Sequence, residues 1–122
     1  MRVRVQALRG AITCNENTRQ EIEEKTQRLV KELLARNELE HEDLVSVIFT
    51  ATDDLTAEFP AAAARGVGLG DIPLLCAREL AIDDGKPMCI RVLVHCYTER
   101  PRDELHHVYL EGARTLRDDL PE

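Results

Sequence analysis

At 122 residues and 13.8 kDa the chain is long enough for one core and too short for two. Its 16 basic residues against 23 acidic ones come with no basic run and no aromatic platform, which argues against a nucleic-acid partner; any anionic ligand must be held by local arginines against a formal net charge of -7. There is no signal-peptide pattern and no apolar stretch long enough to span a bilayer, so the expectation is a cytoplasmic protein with no membrane partner.

Val3, Val5 and Ala7 alternate with Arg2, Arg4 and Gln6, which predicts a strand with one apolar face near the start. It leads to Arg9-Gly10, where the glycine allows a turn or close passage of a ligand and Arg9 would project from a strand end. Alternatively, Arg9 is a plain surface arginine before a turn. Thr18 and Glu21 have the spacing of a reciprocal capping box. Ile22, Leu29, Val30, Leu33 and Leu34 then recur at helical spacing, predicting one long helix over 18–36, with Asn37 able to close it in a left-handed conformation.

Residues 44–50 are again strand-like and 52–55, Thr-Asp-Asp-Leu, form a loop. Phe59 to Arg65 predicts a short helix with Pro60 in its first turn, ended by Gly66, Gly68 and Gly70. These glycines do not open a helix directly after a strand, so they are no dinucleotide fingerprint. A short strand is expected over 72–76, a central one over 88–95, a single helical turn over 101–105 and a last strand fragment over 107–110. Residues 112–122 read as a charged tail, ordered only where something docks it. The expected fold is therefore α/β (α+β): a single domain over 1–122, with a mixed sheet, one long helix and one or two short ones on one side. So little helix leaves apolar sheet uncovered, and self-association is expected.

The four cysteines, Cys14, Cys76, Cys89 and Cys96, contain no Cys-x-x-Cys pair, and with His95 and His107 they match no standard zinc spacing. Reduced, mostly buried thiols with no metal and no cofactor are expected. The exceptional residue is Arg91, a permanent cation inside an apolar, β-branched strand. Either alternation points it to the wet face or to a structural carboxylate, or it lines a pocket built for an anion. Arg9, Arg65, Arg91, Glu79, Tyr109 and Cys76 are the candidates for such a pocket. They include no nucleophile with an obvious base and no paired carboxylates. The set suits binding a polyanionic small molecule and stabilising charge that develops on an oxygen.

Taken together, five ordered motifs carry a family likeness: Leu-Arg9-Gly-Ala-Ile, Thr-Asp-Asp-Leu-Thr-Ala-Glu-Phe59-Pro-Ala, Pro-Leu-Leu-Cys76-Ala-Arg-Glu79, Cys-Ile-Arg91-Val, and Arg102-Asp-Glu-Leu-His-His107-Val-Tyr109-Leu-Glu closing on Leu116-Arg117-Asp-Asp-Leu. Over nearly its whole length the chain resembles the monofunctional chorismate mutases of the small trimeric α/β class, not the all-helical class. The resemblance implies an intramolecular Claisen rearrangement of chorismate to prephenate, at the head of phenylalanine and tyrosine synthesis. It also implies a homotrimer whose core resembles a closed barrel of packed sheets, with each cleft between neighbouring subunits.

Carried over by position, Arg91 matches the arginine near the ether oxygen of the breaking bond and Glu79 the carboxylate that receives the ring hydroxyl. Arg9 and Tyr109 match groups that hold a substrate carboxylate. Phe59, Leu75, Cys76 and Leu116 match wall or hydroxyl-contacting positions, and Arg65 and Arg117 match cations at the mouth. Leu75 stands where relatives carry threonine, so only its backbone contact need survive. Ala62 replaces a lysine found in some relatives and Asp118 replaces a usual proline, which together imply weaker capture of a dianion and a higher Michaelis constant. The competing readings are a trimeric hydrolase of enamines and imines with an interfacial arginine, and a non-catalytic trimeric protein that binds small anions.

Overall fold

The computed structural model describes residues 2–116. In chain order the elements are β1 (Arg4–Thr13), α1 (Arg19–Arg36), β2 (Leu44–Ala51), α2 (Pro60–Arg65), β3 (Leu74–Arg78), β4 (Cys89–Thr98) and β5 (Val108–Leu110), with 3-10 turns at His41–Asp43, Arg102–Glu104 and Glu111–Thr115. The strands form one mixed sheet in the order β3-β2-β4-β1-β5. The apolar, β-branched β4 lies at its centre, antiparallel to both β1 and β2, while β1 with β5 and β2 with β3 run parallel. None of the described helices is long and apolar enough to cross a membrane.

One sheet face carries the core. Leu8 and Ile12 of β1, Val47 and Phe49 of β2, and Ile90, Val92 and Val94 of β4 pack with Ile22, Leu29, Val30 and Leu33 of α1 and with Ala61 and Ala64 of α2. Because strand side chains alternate between faces, Val3, Val5 and Ala7 point the other way; Val3 and Val5 are exposed, whereas Gln6 is buried. The first strand's apolar alternation does form a strand, but it marks the open face and not the core.

Gly10 makes no turn, because β1 runs straight through it. Its missing side chain instead lets the chain pack tightly: a Cβ there would lie 2.9 Å from the Val108 carbonyl oxygen and 3.1 and 3.2 Å from the Cδ1 atoms of Leu29 and Leu33. Arg9 consequently projects from mid-strand and not from a strand end. Gly10→Ala should destabilise the protein by about 1–3 kcal/mol, since a backbone oxygen cannot give way as a side chain can. Calorimetry would show this as a lowered Tm, and an unchanged Tm would mean that β5 is free to move.

Thr18 caps α1 by accepting from the Glu21 amide at 3.1 Å. The Glu21 carboxylate does not close the box on Thr18; it accepts from the Asn15 amide at 2.7 Å and so ties down the loop leading into the helix. Asn37 closes α1 at φ -104°, not in the left-handed region, which is taken up by Glu38 at φ 53°. The Asn37 side chain is the reason. It is buried, donates to the carbonyls of Leu33 and His106, and accepts from the His106 amide, fastening the helix end to the segment before β5. β3 begins two residues later than its sequence suggests, since Pro73 lacks the amide that a ladder position would use.

Gly112 to Leu116, read from the sequence as the start of a charged tail, lie against β1 and β5. The Gly112 amide donates to Thr13 Oγ1 at 2.8 Å, and Ala113 is fully buried with Ala11, Cys89 and Tyr109. Glu111 turns the chain there with φ 55°, in the region an L-residue seldom adopts. Its carboxylate is anchored by Arg28 and Lys25 of α1, and the Arg28 hydrogen bond, reinforced by the Lys25 charge, holds it below the usual carboxylate range.

Candidate active site

The open face of the sheet places Arg91 in a defined row. Across the strands its register neighbours are Thr50 on β2 and Ala11 on β1, and beyond these stand Ala77 on β3 and Tyr109 on β5. Ala11 is small and fully buried, packed with Cys89, Tyr109 and Ala113. Arg9 lies two residues before Ala11 and shares its face. Its backbone amide donates to His107 Nδ1 at 3.0 Å, which fixes β1 beside the entry to β5.

Glu79 follows the last residue of β3 and is held in place by its amide, which donates to the Ala51 carbonyl at 3.0 Å. Its Oε1 accepts from Thr50 Oγ1 at 2.7 Å and lies 3.3 Å from Arg91 Nε. The second contact is an ion pair without hydrogen-bond alignment, for Arg91 Nε is buried and has no hydrogen-bond partner among the described residues. Such an orphaned donor is costly unless a ligand or a further group meets it. The Arg91 side chain is 38% exposed and opens into a cavity of about 290 Å³ lined by Arg9, Ile48, Thr50, Glu79, Arg91 and Tyr109, among others. Arg91 therefore satisfies all the alternatives left open by its sequence: it is on the wet face, beside a carboxylate, and in a pocket. Two guanidinium groups against one carboxylate give that pocket a positive balance inside an acidic protein.

The structure brings Arg9, Glu79, Arg91 and Tyr109 together around one cavity and sets Phe59, Arg65, Leu75 and Cys76 apart from it. Cys76 pairs with Phe49 on the helix-covered face and, with Phe59, lines a different cavity of about 490 Å³ between the 51–60 segment and β3. Phe59 is 69% exposed at its rim and Leu75 60% exposed on the open face. Arg65 ends α2, exposed, and lines neither cavity. Leu116 packs against the cluster that includes Tyr109. Arg117 and Asp118 lie outside the described residues, and Ala62 is half-buried on α2.

Two features of the site escaped sequence reasoning. Thr50 looked like any β-branched strand residue, and only the register sets it beside Arg91 and Glu79. The Thr-Asp-Asp-Leu motif was visible, but its purpose is structural. Thr52 exchanges backbone and side-chain bonds with Cys89, at 3.1 and 3.0 Å, and Asp54 accepts from the amide of Met88, whose φ is 51°. This brace sets the start of β4 two residues before Arg91.

The thiols offer no nucleophile from the buried positions. Burial pushes Cys14 up to about 12 and Cys96 up to about 11, and it also raises Cys89 despite the nearby Arg91 charge. All four cysteines are free, and no group of three or more metal-ligating side chains occurs among the described residues.

Fold and site together define a small α/β protein with an arginine-lined pocket on the open face of a mixed sheet. The chorismate mutase type I family matches residues 5–120, and the chain belongs to that family. It is 45% identical over 117 residues to the chorismate mutase AroH of Thermus thermophilus, covering 95% of this chain and 96% of that one. To the chorismate mutase AroH of Bacillus subtilis it is 38% identical over 117 residues, covering 95% and 92%. Among solved structures, a chorismate mutase from Clostridium thermocellum superposes with a TM-score of 0.88 at 44% identity, over 89% of this chain and 97% of that one.

Proposed function

We propose that the protein rearranges chorismate to prephenate at clefts shared between neighbouring copies of a homotrimer. The observation that carries this reading is the positive cavity around Arg91, with its orphaned Nε and a fixed carboxylate at 3.3 Å. A Claisen rearrangement breaks a carbon-oxygen bond and forms a carbon-carbon bond within one molecule, and no proton moves. The catalyst has to hold a compact reactive conformer and meet the negative charge that grows on the ether oxygen. In this reading Arg91 meets that charge, Glu79 accepts the ring hydroxyl, and Arg9 and Tyr109 hold a substrate carboxylate.

The placement of Phe59 and Cys76 in a second cavity, away from the one around Arg91, supports a shared cleft. Arg9, Glu79, Arg91 and Tyr109 would come from one copy and Phe59, Leu75 and Cys76 from its neighbour, with Leu116 a further wall position and Arg65 and Arg117 the cations at the mouth. Exposed apolar groups on the open face, Val5, Leu75 and Tyr97, supply surface for such an assembly. Hydrolysis of an enamine or imine fits less well, because among the described residues the Arg91 cavity is lined by a single carboxylate and by no histidine or thiol to activate water.

Purified protein should remove the ultraviolet absorbance of chorismate with prephenate as the product; binding without turnover would leave the non-catalytic reading in its place. Sedimentation equilibrium of the reduced protein should give three chains over a wide concentration range. A fully active monomer would sink the shared cleft.

A further inference from the structure

We infer that Thr50 is a positioning residue for the reaction: its hydroxyl holds one oxygen of Glu79 so that the other is presented to the substrate. The inference rests on the reading of Glu79 as the acceptor of the ring hydroxyl. Glu79 stands outside the β3 ladder, secured through its own amide to Ala51, so nothing in the backbone fixes its carboxylate. Thr50 lies directly opposite Arg91 in the β2–β4 register, and its Oγ1 donates to Glu79 Oε1 at 2.7 Å. Arg91 Nε approaches the same oxygen at 3.3 Å. Both contacts fall on Oε1, which leaves Oε2 as the oxygen for a ligand.

Two physical consequences follow. A hydroxyl has one proton, and Thr50 spends it on the carboxylate, so the pair is a charge-assisted bond. Without it, the Arg91 guanidinium would be the principal partner of Glu79 at this point, and the carboxylate would be free to turn and draw that cation away from the breaking bond. Thr50 thereby keeps two oppositely charged groups close while reserving each for a different atom of the substrate. A β-branched residue suits the task, since its stiff χ1 on a strand aims the hydroxyl without a search of rotamers.

The test is a double-mutant cycle on the full-length protein with chorismate as substrate. Thr50→Val keeps the shape and the strand propensity and removes the donor; turnover at saturating substrate should fall about fivefold to tenfold, with the circular dichroism spectrum and the assembly unchanged. Thr50→Ser keeps the donor and should stay within about twofold of the parent. In a Glu79→Gln background, Thr50→Val should cost less than about twofold further, because there is no longer a charged oxygen to aim. Full-speed Thr50→Val beside a slow Glu79→Gln overturns the role of Thr50 alone. An undiminished cost of Thr50→Val in the Glu79→Gln background, or a Thr50→Ser variant as slow as Thr50→Val, also overturns it, since a packing defect would behave that way. An unimpaired Glu79→Gln variant overturns the reading of Glu79 itself, and this inference with it.

Discussion

Arg91→citrulline should collapse turnover by on the order of a hundredfold or more while the fold and assembly persist, a cost of roughly 3 kcal/mol by analogy with loss of one oxyanion-stabilising donor. Citrulline has nearly the shape of arginine and no charge. Arg91 stands on the open face of the central strand, with Nε buried and without a hydrogen-bond partner among the described residues and Glu79 at 3.3 Å. A cation held there contributes more as charge grows on the ether oxygen than it does to the bound ground state, so its loss should appear in turnover and not only in the Michaelis constant. Arg91→Ala should cost at least as much. Arg91→Lys keeps the charge but loses the planar fork and should recover only part of the rate. A citrulline variant almost as fast as the parent would mean that hydrogen bonding and conformer selection carry the reaction.

Glu79→Gln should lower turnover by at least tenfold. The substitution keeps the shape and removes the charge of a group that accepts from Thr50 at 2.7 Å and faces Arg91. A hydrogen bond to a charged partner contributes roughly 1.5–3 kcal/mol, and the ring hydroxyl would lose such a partner. The amide also introduces a donor toward either Thr50 or Arg91, so part of the loss comes from disturbing the Arg91 side chain. Because the rearrangement moves no proton, turnover of the parent should vary little with pH near neutrality. Stopped assays across pH would check this: a bell-shaped profile whose acidic limb disappears in Glu79→Gln, with substrate ionisation excluded, would make Glu79 a general base and contradict the mechanism.

The sequence determined what depends on neighbours along the chain. The long helix was legible because Thr18 and the spacing of Ile22, Leu29, Val30 and Leu33 are local signals, and α1 runs Arg19–Arg36. The central strand was legible because 88–95 is apolar and β-branched, and β4 runs Cys89–Thr98. Arg91 announced itself as a cation in an apolar strand, and the ordered motifs carried the family. What only the tertiary structure decided depends on pairing between distant segments. The alternation of Val3, Val5 and Ala7 fixes a period of two but not which face is the core; α1 settles that by packing onto Leu8, Gly10 and Ile12. Gly10 reads as a turn or a close passage for a ligand until Val108 is found beside it. Asn37 reads as a left-handed cap until its amide is seen bonded to His106, sixty-nine residues away. Thr50 became part of the site through register, which a single strand cannot specify, since a slip of one residue would turn its hydroxyl to the other face.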